Sequence, residues 1–255
     1  MNVYFNFRRI RLLAIRYLAE HRIRDSITLA AYFVALMFIP RLITGPPDLV
    51  SFTIFCFILS IGGARYTARI FHELHTPAGG LHYLHIPASQ LEKFLFNGVL
   101  SLLFYPLACI VVYYGGTFIG NLLEPIMPSF LNYRTIELSS LFPSKMKSEW
   151  ISTLLFNHAI FFLGSLFFRK HPTTKTFLSI ITFGIAVLCV EFILIKIVFG
   201  EIDPTSNLVR EVKLENLAIF LKNSPLLQFL NVLVSGLVLL YLWFVSYLKL
   251  KEKQV

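Results

Sequence analysis

Leu95 to Leu123 reads LFNGVLSLLFYPLACIVVYYGGTFIGNLL, 29 residues without a single Asp, Glu, Lys or Arg. As a helix rising about 1.5 Å per residue, it is longer than the roughly 30 Å of hydrocarbon in a bilayer. A strand of a membrane barrel would alternate in polarity every second residue, and this run does not. It therefore reads as a membrane helix, and Pro106 within it predicts a tilt or kink.

The rest of the chain agrees. Five further apolar segments, 26–43, 49–64, 151–168, 177–199 and 226–248, approach or reach spanning length. The second has only 16 residues and must lean on its flanks. Hydrophobic residues make up 56% of the 255 positions, 15% are charged, and the mean hydropathy is +0.70. Soluble domains average about 45–50% apolar and about 25% charged, so a soluble globular fold is excluded. The expected fold is an all-α integral membrane protein with six spans in one domain over 1–255. No internal repeat or low-complexity tract is present, and nothing leaves room for a second folded unit.

Basic residues set the expected orientation, because Lys and Arg concentrate in short cytoplasmic segments. With the N-terminus inside, the cytoplasmic segments hold 15 of the 23 basic residues, including Arg8, Arg9, Arg11, Arg16, Arg65, Arg69, Arg169, Lys170 and Lys249. Both termini are then cytoplasmic. The +9 net charge reads first as a topology signal and second as affinity for anionic lipid headgroups; nucleic acid is not an expected partner. Cys56, Cys109 and Cys189 all lie in apolar segments and read as small buried hydrophobes. Arginines interrupt the first 25 residues, which lack the apolar core of a cleaved signal peptide.

Between the spans, residues 1–25 have amphipathic helical spacing (Phe7, Ile10, Leu13, Tyr17) and are expected to lie in the headgroup plane. Arg41 to Pro47 reads as a tight outer turn. Residues 124–150 and 200–224 read as outer loops, the second carrying an amphipathic stretch over 208–221. Residues 65–94 form the sizeable polar island of the first half, with four of the seven histidines.

The histidines invite a metal reading. His72-x-x-His75 and His82-x-x-His85, with Glu73 between the first two, supply ligands that zinc or iron accepts. The order His-Glu-x-His is not the i, i+4 spacing of a helical zinc protease, and Pro77, Gly79 and Gly80 break any single helix through the set. The simpler reading is a solvated, protein-contacting segment. A phosphate-cradling Gly-x-x-x-x-Gly-Lys-Ser/Thr is absent, so the chain binds no nucleotide by that loop. A Gly-x-Ser-x-Gly nucleophile elbow is absent too. Within the spans, Asn157, His158 and Glu191 are polar groups to account for, either as a pathway or as interhelical hydrogen bonds. Gly116-x-x-x-Gly120 offers a small-residue packing face.

Two motifs carry a resemblance. Phe71-His-Glu-Leu74 follows the second span, and Tyr83-Leu-His-Ile-Pro-Ala-Ser-Gln-Leu-Glu-Lys-Phe94 leads into the third. With the six-span layout and the tail Tyr247 to Val255, they resemble the permease subunits of bacterial ABC-2-type exporters. The resemblance implies an elbow helix at 1–25 and a coupling segment at 65–94 that docks on a separate ABC ATPase subunit. It implies Glu73, His75, Leu81, His82, Tyr83, Leu84, His85 and Pro87 as the docking residues. It further implies a homodimer or a pairing with a sister permease, a multi-pass location in the bacterial inner membrane, and no cofactor beyond the ATP held by the partner. The expected function is then non-enzymatic export, and the apolar outer loops suit a hydrophobic substrate. The alternatives are a membrane metalloenzyme built on His72, His75, His82 and His85, and an ATPase-independent small transporter or channel.

Overall fold

The computed structural model describes residues 6–42, 47–126, 135–136, 147–199 and 225–253, and no strand occurs among them. The helices are α1 (Phe7–Leu42), α2 (Pro47–Phe57), α3 (Gly63–Arg69), α4 (Pro77–His85), α5 (Gln90–Val99), α6 (Tyr105–Leu122), α7 (Lys147–Phe167), α8 (Pro172–Phe199) and α9 (Pro225–Glu252). One π turn, Ile58–Gly62, joins α2 to α3, and another, Leu100–Phe104, joins α5 to α6.

Five helical segments are long and apolar enough to cross a membrane: Phe7–Leu42, Leu49–Arg69, Gln90–Leu122, Pro172–Leu194 and Val232–Glu252. A sixth apolar helix, Ile151–Phe167, is shorter, so the expected six spans are matched by five at full length. The chain is an all-helical, multi-pass membrane protein.

Several expected boundaries move. The separate elbow at 1–25 and span at 26–43 are one unbroken helix of 36 residues. No glycine or proline interrupts it before Pro40, so nothing in the sequence breaks the hydrogen-bond ladder at residue 25. At about 1.5 Å per residue it is roughly 54 Å long and extends well beyond the hydrocarbon. The 49–64 segment does not stop at Ala64: the helix carries Arg65 and Arg69 on its last turns. The third span starts at Gln90 rather than Leu95, so the 65–94 island is mostly helical. Arg41, expected in an outer turn, is buried inside α1. The stretch 208–221 lies outside the described residues, as does most of the 124–150 loop.

The π turn at Leu100–Phe104 sits immediately before Pro106. Proline has no N–H and its ring crowds the carbonyl four residues earlier, and a widened turn accommodates both; the Tyr105 N–H closes it on the Leu100 carbonyl. The π turn at Ile58–Gly62 likewise misaligns backbone carbonyls, and two side chains take them up. The Tyr105 hydroxyl donates to the Ile58 carbonyl at 3.3 Å, and Asn157 Nδ2 donates to the Ser60 carbonyl at 3.0 Å.

Two larger apolar cores hold the bundle, beside a small cluster of Ala64, Ala68 and Phe161 among the described residues. Leu36, Phe52, Phe55, Ile58, Tyr105 and Tyr113 join α1, α2 and α6. Phe71, Tyr83, Phe162, Leu166 and Leu250 gather at the end that carries α4. Gly116 lets α1 and α6 approach: a Cβ there would lie 3.2 Å from the Phe33 carbonyl. Beside Gly120, the Arg41 guanidinium donates to the carbonyls of Met37 (2.7 Å) and Thr117 (2.7 Å) and to Asn121 Oδ1 (2.8 Å). The Arg41 guanidinium thus adds second hydrogen bonds to carbonyls near the C-terminal ends of two helices, whose dipoles favour a cation there. The apolar side chains of α8 are almost all exposed along the helix.

Candidate functional site

The polar island folds as a short helical knot between the second and third membrane-length segments. Its first part, His72–His75, is a single 3-10 turn. Thr76 is extended and Pro77 opens α4, where its missing N–H costs nothing. Gly79 is required by close approach, since a Cβ on it would lie 2.7 Å from the Glu73 carbonyl. After the Ile86–Ala88 turn, Ser89 caps α5 with a complete capping box. The Ser89 hydroxyl accepts from the Glu92 N–H, and Glu92 accepts from the Ser89 N–H at 2.7 Å. Glu92 is fully buried and also accepts from the Asn6 N–H at 2.6 Å, tying the start of α1 to the start of α5.

Helix α4 has an anchored side and an open side. Tyr83 is the anchor, buried among Phe71, Phe162, Leu166 and Leu250. Its hydroxyl accepts from Asn97 Nδ2 at 3.3 Å, and burial raises its pKa above the usual phenol range. Lys93 donates to the Tyr83 carbonyl at 2.9 Å and lies 4.9 Å above the Tyr83 ring. A cation on the last carbonyls of α4 complements the negative end of the helix. On the open side, Leu81 is 62% exposed, and His82, His85 and Pro87 are exposed with it. The Leu84 side chain lies outside the described residues.

Two polar clusters tie the 3-10 turn to the bundle. In the first, Glu73 pairs with Arg16 of α1 at 3.2 Å and lies 3.6 Å from His21 Nε2. Arg16 also holds Glu20 at 2.7 Å, and Glu20 comes within 4.0 Å of His82. In the second, His75 is buried; its Nε2 donates to the Ser165 carbonyl at 2.7 Å, which leaves Nδ1 to accept from Lys253 Nζ at 3.0 Å. The His75 carbonyl accepts from Arg169 Nε at 2.9 Å. Burial, offset in part by the Ser165 carbonyl and reinforced by Lys253, pulls the His75 pKa below its ordinary value. Burial and the neighbouring Lys249 and Arg169 lower that of Lys253 as well.

The four histidines expected as alternative metal ligands do not form a convergent set. His75 is committed to Ser165 and Lys253, and His72, His82 and His85 are exposed around it. Among the described residues, the set whose ligand atoms all fall within 4.8 Å of one another is Glu20, His21 and Glu73. Arg16 donates to both of its carboxylates.

Of the three intramembrane polar residues, the structure brings two together. Asn157 and His158 are successive on α7 and reach the two π turns, Asn157 at Ser60 and His158 Nε2 at the Ser101 hydroxyl, 2.7 Å away. Ser101 in turn donates to the Asn97 carbonyl at 2.8 Å. His158 also stacks on Phe162 at 5.3 Å. Glu191 lies apart from them, exposed on α8.

Sequence reasoning does not find Arg16 and His21 as partners of Glu73, Lys93 as the α4 clamp, or Lys253 as the partner of His75. Separations of 57 and 178 residues carry no local pattern. Lys93 and Glu92 are visible as charges next to an apolar run, but the run makes them look like boundary residues in water. No family model matches the chain, and no curated protein or solved structure matches it either.

Proposed function

We propose that this chain is the membrane-spanning subunit of an ABC-2-type exporter, moved by a separate ATP-hydrolysing partner that docks on α4. One observation carries the reading. The 3-10 turn, α4 and the turn after it lie between two membrane-length segments, are locked to the bundle by His75 and Tyr83, and still present Leu81, His82, His85 and Pro87 to the outside. An element of that kind transmits a push as a rigid body, because packed cores resist continuous deformation.

The placement of the chain ends supports the orientation. Asn6 bonds Glu92 and Lys253 bonds His75, so both described ends sit at the α4 end of the bundle. The concentration of Lys and Arg at that end favours the cytoplasm, where an ATPase meets it. The chain acts without chemistry of its own, ATP belonging to the partner. A second copy or a sister permease covers part of the bare apolar surface of α8 and α9, and the pathway for a hydrophobic substrate runs along that contact in the bacterial inner membrane.

Photocrosslinking in cells tests the reading, because it captures whatever protein touches the probe. A benzophenone amino acid at position 81 is expected to trap a protein with a Gly-x-x-x-x-Gly-Lys-Ser/Thr loop. The same probe at Leu107, exposed on α6, is expected to trap lipid or a second copy. Position 81 capturing no such ATPase in the cells that naturally make this chain would sink the proposal.

A further inference from the structure

The α4 end of the bundle holds a cavity of about 850 Å³ where α1, α3 and the α7–α8 turn meet. Its lining includes Arg24, Arg65, Arg69, Arg169 and Lys170, with His72, His75 and His171, and no Asp or Glu among the described residues. The carboxylates nearby are turned to other partners: Glu73 to Arg16 and His21, Asp25 to Tyr17 and, at 3.2 Å, to Arg24. The side chains of Arg65, Arg69 and Lys170 make no hydrogen bond or ion pair among the described residues.

A general excess of cytoplasmic Lys and Arg explains basic residues at this end, but not their convergence on one cavity. Arg65 and Arg69 are four residues apart on α3, a spacing that sets like charges against each other on one helix face. The 28-residue helix α8 starts at the same cavity with Pro172, Thr173 and Thr174. Its first turn leaves backbone N–H groups without intrahelical carbonyls, and the helix dipole adds positive potential there. Guanidinium forks, threonine hydroxyls and a helix N-terminus are the donors that phosphate oxygens accept.

We infer that this cavity binds a phosphate group, between Arg65 and Arg69 on one side and the start of α8 on the other. The phosphate belongs either to an anionic lipid headgroup or to a soluble phosphorylated compound. This site is independent of the exporter reading, since it uses none of the exposed residues of α4.

Equilibrium dialysis of the detergent-purified full chain against radiolabelled pyrophosphate tests it. Saturable binding is expected, weakened at least tenfold in the double variant Arg65→Gln/Arg69→Gln and weakened several-fold in Lys170→Gln, an exposed turn position where folding is not at stake. The double variant Arg11→Gln/Arg22→Gln removes two exposed charges outside the cavity and is expected to bind as the parent does. Adding dihexanoyl phosphatidic acid to the micelles separates the sources: loss of pyrophosphate binding assigns the lipid headgroup, and unchanged binding assigns a soluble phosphate. Absence of saturable binding, or equal weakening in the cavity and control variants, overturns the inference.

Discussion

Replacing Tyr83 by alanine isolates the anchor of α4. The side chain is 7% exposed and packs on Phe71, Phe162, Leu166 and Leu250. Truncating a buried aromatic to alanine costs about 3–5 kcal/mol through lost burial and the cavity left behind. Tyr83→Phe keeps the packing and the ring beneath Lys93 and gives up only the 3.3 Å bond from Asn97, a loss of about 0.5–1.5 kcal/mol. Leu81, two residues away and 62% exposed, should change stability by less than about 0.5 kcal/mol when cut to alanine. The cost for Tyr83 falls on the contact between α4 and the bundle, so amide hydrogen exchange over Pro77–His85 is the direct assay. At 1.4 kcal/mol per tenfold, Tyr83→Ala should speed exchange there by about two to three and a half orders of magnitude. Tyr83→Phe should speed it tenfold at most, and Leu81→Ala should leave it near the parent rate. If Tyr83→Ala and Leu81→Ala gave the same exchange over α4, the two-sided description of this helix would be wrong.

Three further outcomes follow from named contacts. His75 has a pKa lowered by burial, so between that value and the unfolded value near 6.5 the unfolded chain binds more protons; stability therefore falls as pH drops through that window. The expected signature is a smaller protection factor at Lys249–Lys253 on acidification, after correction for the intrinsic exchange rate, with a shallower pH dependence in His75→Gln; identical slopes in the two proteins would refute the clasp. Gly116→Leu should destabilise the bundle by about 1–3 kcal/mol through forced separation of α1 and α6, whereas Gly98→Ala, with nothing within 4 Å of its Cβ position, should be neutral; thermal unfolding in detergent compares them. Asn157→Leu removes the donor to the Ser60 carbonyl and should cost about 0.6–1.7 kcal/mol, the range of interhelical hydrogen bonds in membranes, read by the same unfolding assay.

What is legible in the sequence is what short-range chemistry encodes. Unbroken apolar runs mark helices of membrane length, Pro87 and Ser89 mark the restart of a helix, and Gly116 with Gly120 marks a close crossing that α1 fills. Boundaries are less legible, because a polar residue can continue a helix as easily as end it: Arg65 and Arg69 extend α3, and Gln90 to Phe94 open α5. The elbow misleads for the same reason. Its amphipathic spacing resembles an interfacial helix, yet nothing between Phe7 and Ile39 stops the helix from running on into the span. Charges are least legible of all. Arg41 and Lys93 look like water-facing markers of the membrane boundary, and both are buried because backbone carbonyls at helix ends receive them. A guanidinium at the end of two helices is written in the geometry of Thr117 and Met37, not in the residues next to it in the chain.

Helix α7 connects these observations. It is shorter in its apolar part than the five membrane-length segments, and it carries three polar contacts to other elements. Near one end, the Ser165 carbonyl holds His75 of the 3-10 turn. Further along, Asn157 holds the π turn between α2 and α3, and His158 holds the π turn between α5 and α6 through Ser101. Those two π turns lie within the segments that lead into and out of the α4 knot. A π turn is a place where the helical ladder is already widened and where a register change costs least. A displacement of α4 would therefore reach α7 through His75 and Tyr83, and reach the π turns both along their own helices and through α7. A designed disulfide between α7 and the 3-10 turn reinforces that rigid coupling and, on the exporter reading proposed above, should leave both the fold and transport intact. Loss of transport in the locked protein, restored on reduction, would show that α4 moves relative to α7 and would refute the rigid coupling.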